Sequence, residues 1–298
     1  MCGICGIVVI RGRKFPGRDL EAMSRVLHHR GPDDQGSLVS GKVALGFRRL
    51  SIVDLSGGRQ PMRNEEGNVW IVFNGEIYNH LELRPALEQR GHRYATKSDT
   101  ETILHLYEEY GEDCVHHLQG MFAFAIWDAR SQRLFCARDR LGIKPFYYAI
   151  VGDRLAFASE IKALFELPDF QPRLNRRALP EFFAFGYLSS EETLFEGVRK
   201  LLPGHCLCID LEAQDKNPKV KPYWDLDISP SESSLSESDY VAQFRDLFTE
   251  TVRAHLMSDV PVGVFLSGGL DSSSIAAMMA DLRKEPIQTF SVGYAEDK

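Results

Sequence analysis

No stretch of this sequence approaches the ~20 consecutive apolar residues that a membrane-spanning helix needs, so no membrane partner is expected. Basic residues are not in excess either. Lys and Arg number 35 against 42 Asp and Glu, a net charge of -7. That balance excludes a surface built mainly to neutralise nucleic-acid phosphates, although it leaves room for a local ATP site. The opening Met1-Cys2-Gly3-Ile4-Cys5-Gly6 lacks a basic segment followed by an apolar one. No secretory signal is expected from it, and the location reads as cytoplasmic. Cysteine is sparse, with six in 298 residues. A chain this long that is 44% hydrophobic has no need of a disulfide framework. The pairs Cys2/Cys5 and Cys206/Cys208 leave a four-thiolate zinc site conceivable. Cys206-Leu207-Cys208-Ile209 reads more simply as a strand with both thiols on one face. Internal repeats and low-complexity tracts are also missing.

What is present divides in two. The length suggests roughly two domains, and up to about residue 210 the pattern is mostly β with a few helices. Residues 7–10 read as a short apolar strand. Residues 19–28 carry Leu20, Met23 and Leu27 at helical spacing. Residues 69–73 form another strand, which Asn74-Gly75 should end as a turn. Ser98-Asp99-Thr100-Glu101 has the form of a capping box, with Ile103, Leu104 and Tyr107 following on one face. Hairpins are expected at 122–137 and 146–158. This mixture is not a strict βαβ alternation and predicts an α+β layered domain. Composition then shifts. The polar stretch 215–221 and the serine- and acid-rich stretch 229–238 mark a linker. After it, Val241, Phe244, Phe248 and Val252 make a helical stripe. A buried strand at 262–266, a small-residue loop at 267–273, a helix at 275–282 and a strand at 287–292 then form a nucleotide-binding α/β unit. The expected boundaries are 2–210 for the first domain, 211–238 for the linker and 239–298 for the second domain. A lone βαβ unit cannot cover both faces of its sheet, so further chain or a partner is expected to supply the missing layers.

Cys2 is the first candidate for chemistry. If Met1 is removed, one residue carries both a thiol and a free α-amine whose pKa of roughly 7.7–8.0 suits a base near neutral pH. Alone, a small buried cysteine is the simpler reading. Its neighbourhood changes that. Cys2-Gly3-Ile4-Cys5-Gly6-Ile7 is followed by His29-Arg30-Gly31-Pro32-Asp33-Asp34, Arg49-Leu50-Ser51-Ile52-Val53-Asp54 and Phe73-Asn74-Gly75-Glu76-Ile77-Tyr78-Asn79. Ser98-Asp99-Thr100-Glu101, Gly120-Met121-Phe122-Ala123-Phe124 and Arg138-Asp139-Arg140-Leu141-Gly142-Ile143-Lys144-Pro145 come next. In that order, over about two thirds of the chain, the set resembles the class II glutamine amidotransferases. The resemblance implies an N-terminal-nucleophile fold, an αββα stack with two antiparallel sheets between helices. It implies that Cys2 is the nucleophile, and that the Asn74 amide and the Gly75 N–H are the donors to the tetrahedral oxyanion. It also implies that Arg49 clamps the glutamine α-carboxylate, that Glu76 and Asp99 face its α-ammonium, and that Leu50, Ser51, Ile52 and Val53 wall the pocket. Standing alone, Asn74-Gly75 would be a turn and Asp99 a complement to a helix N-terminus. His28 and His29 read as structural, because the α-amine already provides a base.

The second candidate is Ser267-Gly268-Gly269-Leu270-Asp271-Ser272-Ser273, which follows an apolar strand and lacks the Gly-Lys-Ser/Thr of a Walker loop. It resembles the pyrophosphate loop of ATP pyrophosphatases, with N–H and hydroxyl donors at a helix N-terminus. The resemblance implies an adenine-nucleotide alpha-hydrolase-like (PP-loop) α/β domain that binds ATP. The contacts would come from Leu266, Ser267, Gly268, Gly269, Asp271, Ser272 and Val292, with Asp271 helping to hold Mg²⁺. A glutaminase followed by this loop resembles the asparagine synthetases, in which ATP activates aspartate and ammonia from glutamine displaces AMP. Phosphoribosyltransferase and sugar-isomerase relatives do not carry the loop. A β-lactam synthetase branch shares it but lacks the working cysteine. An enzyme of the same architecture with another carboxylate acceptor, and a non-catalytic glutamine-binding remnant, remain as alternatives. The family suggests a homodimer, and the aspartate-binding residues would lie outside this chain.

Overall fold

Alternation along the first strand sets the layering. The computed structural model describes residues 1–12, 17–229 and 235–293. In β1 (Gly3–Val9), Ile4 and Val8 enter one core while Cys5 and Ile7 enter another, as a period of two requires. The chain continues through α1 (Arg18–Arg25), β2 (Asp34–Ser40), β3 (Val43–Arg49), β4 (Met62–Arg63), β5 (Val69–Ile77), α2 (His80–Gln89) and α3 (Asp99–Tyr110). Then come β6 (Gly120–Asp128), β7 (Arg133–Arg138), β8 (Tyr147–Val151), β9 (Arg154–Ala158), α4 (Leu179–Phe185), β10 (Val198–Lys200), β11 (His205–Asp210) and β12 (Lys219–Pro222).

These strands make two six-stranded sheets, ordered β10-β8-β9-β1-β3-β2 and β12-β11-β7-β6-β5-β4. Neighbouring strands pair antiparallel throughout. One core lies between the sheets, where Ile4, Leu45 and Phe47 of the first meet Val72, Ala125 and Trp127 of the second. A second core joins the outer face of the first sheet to Leu20 and Met23 of α1. A third joins Ile71, Phe73 and Phe124 on the outer face of the second sheet to Leu87 of α2 and Ile103, Leu104 and Tyr107 of α3. Each fully buried side chain of this size contributes about 1.5–3 kcal/mol. The result is the expected stack of helix, sheet, sheet and helix.

Three local expectations are corrected. Asn74-Gly75 is not a turn. β5 runs through it to Ile77, with Asn74 opposite Ala123 and Gly75 opposite Phe122. Tertiary pairing overrides the dipeptide's turn preference because the next strand, β6, extends far enough to pair with it. Ser98 does cap α3 by accepting from Thr100 N–H, but the reciprocal half of the box does not form there. Glu101 instead accepts from the backbone N–H groups of Ala95 and Thr96, at 2.7 Å each. The stretch 211–238, expected to be a linker, carries β12 paired on β11. The four residues of β12 are all exposed, so an edge strand has the composition of a loop. The serine-rich residues 230–234 lie outside the described residues.

The chain divides by contact into Met1–Leu226 and Asp227–Lys298. The second unit holds α5 (Glu237–His255), β13 (Gly263–Phe265), α6 (Leu270–Leu282) and β14 (Gln288–Phe290). α5 begins with a full capping box between Ser236 and Asp239. β13 and β14 pair in parallel as a two-stranded sheet. The expected burial of strand 262–266 is not seen: Phe265 is 78% exposed. Two strands flanking one helix give it no second layer to enter. Among the described residues no helix is long and apolar enough to cross a membrane.

Candidate active site

The first-unit candidates meet at one end of the gap between the two sheets. Cys2 packs against the inter-sheet core beside β1, and Asn74, two residues on from Val72, lies on the same face of β5. A pocket there is lined by Cys2, Arg49, Leu50, Ile52, Val53, Asn74, Gly75, Glu76 and Asp99. Ser51 does not line it, and its N–H donates to Asp33 Oδ2 at 2.8 Å.

Cys2 is held from three directions. Arg30 Nε donates to its carbonyl at 2.9 Å, and Ile4 is pinned to Ser159 through both its N–H and its carbonyl. The Leu50 N–H donates to Sγ at 3.4 Å. Burial pushes the Cys2 thiol up, while the Leu50 N–H, the terminal amine, Arg49 and Lys144 pull it back. The terminal amine belongs here to Met1, which also lines the pocket, and burial lowers its pKa. Thiol and amine are thus electrostatic neighbours, and one peptide bond, Met1–Cys2, stands between this state and one in which Cys2 carries the amine itself.

The two residues expected to donate to an oxyanion line the same pocket as Cys2. Asn74 is 1% exposed, and its Nδ2 is buried with no hydrogen-bond partner among the described residues. An orphaned buried donor costs about 1–3 kcal/mol, which is accounted for if a ligand oxygen completes it. The Gly75 N–H follows from the register. Phe73 N–H donates to Gln60 Oε1 at 2.6 Å and Ile77 N–H to Asp99 Oδ2 at 2.9 Å, both away from β6. Gly75 lies between them on the same edge of the strand. Phe122, opposite it, spends both backbone groups on Asp139. A Cβ at position 75 would sit 2.2 Å from Met121 O. Glycine is therefore required by the approach of β6, as well as by any substrate on the other side.

Arg49 is buried and lines the pocket while donating to the carbonyls of Val53, Asp54 and Leu55. It both shapes the 53–55 loop and presents a cation. Asp54, at φ 48°, staples that loop to the start of α3 by accepting from Lys97 N–H. Asp99 is the first helical residue of α3 and is buried. Burial, then Glu76, raises its pKa to about 7 against the Ile77 and Thr100 N–H groups. Glu76 lines the same wall. A cation beside this buried acid would favour its charged form, and a carboxyl so perturbed in a pocket marks a candidate site.

Sequence reasoning missed Lys144, Gln60 and Thr100. Lys144 is buried in the pocket wall, feels Glu76 and Cys2, and is lowered by burial. It lay within the matching stretch 138–145, which was the only signal for it. Gln60 bonds both backbone groups of Phe73 and also Thr100 Oγ1, a positioning role with no local signature. His29 bonds Glu160 at 2.9 Å and does not line the pocket.

The second-unit candidates cluster too. Gly268, at φ 81°, turns the chain from β13 into α6, which starts at Leu270 and so takes Asp271 and Ser272 into its first turn. The helix has no side-chain cap, so its first N–H groups are open to an anion. Ser272 Oγ bonds Ser267 N–H and Gly269 O, which closes the loop. Leu266 N–H donates to Phe290 O, and Val292 is exposed just beyond β14. Asp271 offers oxygen, the ligand type magnesium takes.

A family described as a glutamine amidotransferase domain matches residues 1–224, three quarters of the chain. The chain belongs to the glutamine amidotransferase family. A second family, described as asparagine synthase, matches residues 243–298. Among curated relatives, asparagine synthetase [glutamine-hydrolyzing] 3 of Bacillus subtilis is 42% identical over 305 residues, covering 100% of this chain and 49% of the relative. Asparagine synthetase [glutamine-hydrolyzing] 1 of the same organism is 39% identical over 303 residues, covering 99% and 46%. The chain therefore spans about half the length of these relatives. A glutamine phosphoribosylpyrophosphate amidotransferase structure from Bacillus subtilis aligns with TM-score 0.55 and 22% identity, over 97% of this chain and 65% of that one. That likeness shows a shared fold.

Proposed function

We propose that this chain hydrolyses glutamine at Cys2 and supplies ammonia to an ATP-dependent amide synthesis, the conversion of aspartate to asparagine. In this reading Met1 is removed and the Cys2 α-amine takes the thiol proton. The thiolate attacks the carboxamide carbon, and the oxyanion that forms is held by Asn74 Nδ2 and the Gly75 N–H. Collapse breaks the C–N bond, and ammonia leaves with the proton from the α-ammonium. Water then cleaves the thioester to give glutamate and the free thiol. Arg49 orients the α-carboxylate, and Asp99 and Glu76 hold the α-ammonium. The observation that carries the proposal is the orphaned Asn74 Nδ2 in a pocket shared with Cys2.

The ATP half rests on the loop 267–273. Its uncapped helix start and serine hydroxyls suit pyrophosphate, and Asp271 would hold Mg²⁺, which neutralises phosphate charge when bound. Aspartate as acceptor is supported by the relatives' names and by the match at 243–298. A cytoplasmic homodimer completes the proposal, with the mass of the assembly in solution as its check. The principal test is intact mass together with labelling by a glutamine-mimicking electrophile. Loss of Met1 and one adduct on Cys2 are expected. Full glutaminase activity with Met1 retained, or labelling elsewhere, overturns the mechanism.

A further inference from the structure

Away from the pocket, four side chains from three segments converge against α3. Glu65 comes from the turn after β4, His92 from the loop after α2, and His105 and Glu108 from one face of α3. One ligand atom from each lies within 4.8 Å of the others. His105 Nδ1 is 3.2 Å from Glu108 Oε2 and 3.8 Å from Glu65 Oε2, and His92 Nδ1 is 3.7 Å from Glu108 Oε2. The two imidazole rings pack with centroids 4.6 Å apart.

The outward atoms are anchored, so the inward ones are aimed. Glu65 Oε1 accepts from Arg93 N–H at 2.8 Å, and Glu108 Oε1 accepts from Asn64 Nδ2 at 2.6 Å. His92 Nε2 pairs with Glu109 Oε1 at 2.9 Å, the carboxylate support that a metal-bound histidine usually has. The His105 side chain is 1% exposed. Its Nε2 has no hydrogen-bond partner among the described residues, and Glu101 Oε1 lies 3.9 Å away. Two carboxylate oxygens converging in a half-buried site repel one another unless a positive charge lies between them.

We propose that Glu65, His92, His105 and Glu108 form a site for one first-row divalent transition ion, with zinc the best fit, that clips the turn after β4 and the loop after α2 to α3. Two neutral imidazoles and two carboxylates balance a dication. Imidazole nitrogen favours zinc over magnesium or calcium, which prefer all-oxygen sets. Four ligands at about 2.0–2.2 Å would stand roughly 3.3 Å apart in a tetrahedron. The site must contract by an ångström or so, and the Glu65 side chain, 39% exposed, can swing Oε2 inward about its Oε1 anchor on the Arg93 N–H. The competing source of positive charge is protonation of the histidines, which requires no ion.

Cobalt(II) titration of the metal-stripped chain separates the two. The expected result is one equivalent bound, with the visible bands of a tetrahedral ion and no thiolate-to-cobalt charge-transfer band. Zinc should displace it and raise the melting temperature. Glu65→Gln and His92→Gln should each weaken binding at least tenfold, and Glu109→Gln, acting through His92, by roughly 10- to 100-fold. If His92→Gln does not fold, Glu65→Gln carries the test through its loss of the zinc-dependent melting shift. The proposal is overturned by any of three results: no stoichiometric uptake, a thiolate band that assigns the ion to cysteine, or folded variants that bind as the parent does.

Discussion

Asp99→Asn should make the protein more stable at pH 8 while impairing glutamine binding. The buried carboxyl has its pKa raised from 3.8 to about 7, burial being the largest cause. The native state therefore keeps a proton that the unfolded chain gives up between those two values. Stability falls as pH rises through that interval and levels off above about 7. At about 1.4 kcal/mol per pH unit the bound is roughly 4 kcal/mol. Asparagine removes the buried charge and can still accept from the Ile77 N–H, but its own N–H groups need partners. We therefore expect a net gain of about 1–3 kcal/mol at pH 8 and little or none at pH 5, where the parent carboxyl is already protonated. All three tryptophans, Trp70, Trp127 and Trp224, lie within Met1–Leu226. Urea unfolding followed by tryptophan fluorescence at both pH values thus reports on this unit. In activity assays the variant's KM for glutamine should rise about 10- to 100-fold, the cost of losing a charged hydrogen bond. The parent's KM should rise as pH drops below about 7, because a protonated Asp99 cannot pair with the ammonium. A variant less stable than its parent at pH 8, or a difference that does not change with pH, would refute the reasoning.

Asn74→Ala should lower kcat for glutamine hydrolysis by roughly 10²–10³ with a much smaller change in KM; an effect confined to KM would remove Asn74 from the oxyanion site. Cys2→Ala should abolish ammonia release from glutamine while leaving the unfolding midpoint close to the parent's. Lys144→Met should raise the Cys2 thiol pKa, since Lys144 is one of the charges pulling it back, and so move the acidic limb of the kcat/KM profile to higher pH. Gly75→Ala should cost upwards of 3 kcal/mol, or prevent folding, because the new methyl meets a backbone oxygen at 2.2 Å; denaturation of that variant checks it.

The parts legible in the sequence were those with a local cause. Alternation in β1 and helical spacing at Leu20 and Met23 marked elements that the structure contains, and the ordered motifs pointed to residues that the fold gathers around one pocket. Illegible features were those set by partners distant in sequence. Asn74-Gly75 carries the strongest turn signal in its region, yet it sits inside β5 because β6, more than forty residues later, pairs with it. Ser98-Asp99-Thr100-Glu101 spells a capping box, yet Glu101 turns to the N–H groups of Ala95 and Thr96. Both exceptions bear on the pocket, Asn74 and Gly75 as part of its lining and Glu101 through the segment that leads to Asp99. Continuing β5 through Gly75 is what leaves the Gly75 N–H on an open strand edge and buries Asn74 Nδ2 without a hydrogen-bond partner among the described residues. Diverting Glu101 from the cap ties down the segment leading into α3, whose first residue, Asp99, holds the Ile77 N–H. Local rules overridden by tertiary contacts are expected to gather at functional sites. The unpartnered Asn74 Nδ2 and the buried Asp99 carboxyl line one pocket, and in the reading proposed above a glutamine carbonyl oxygen meets the first and its ammonium group the second.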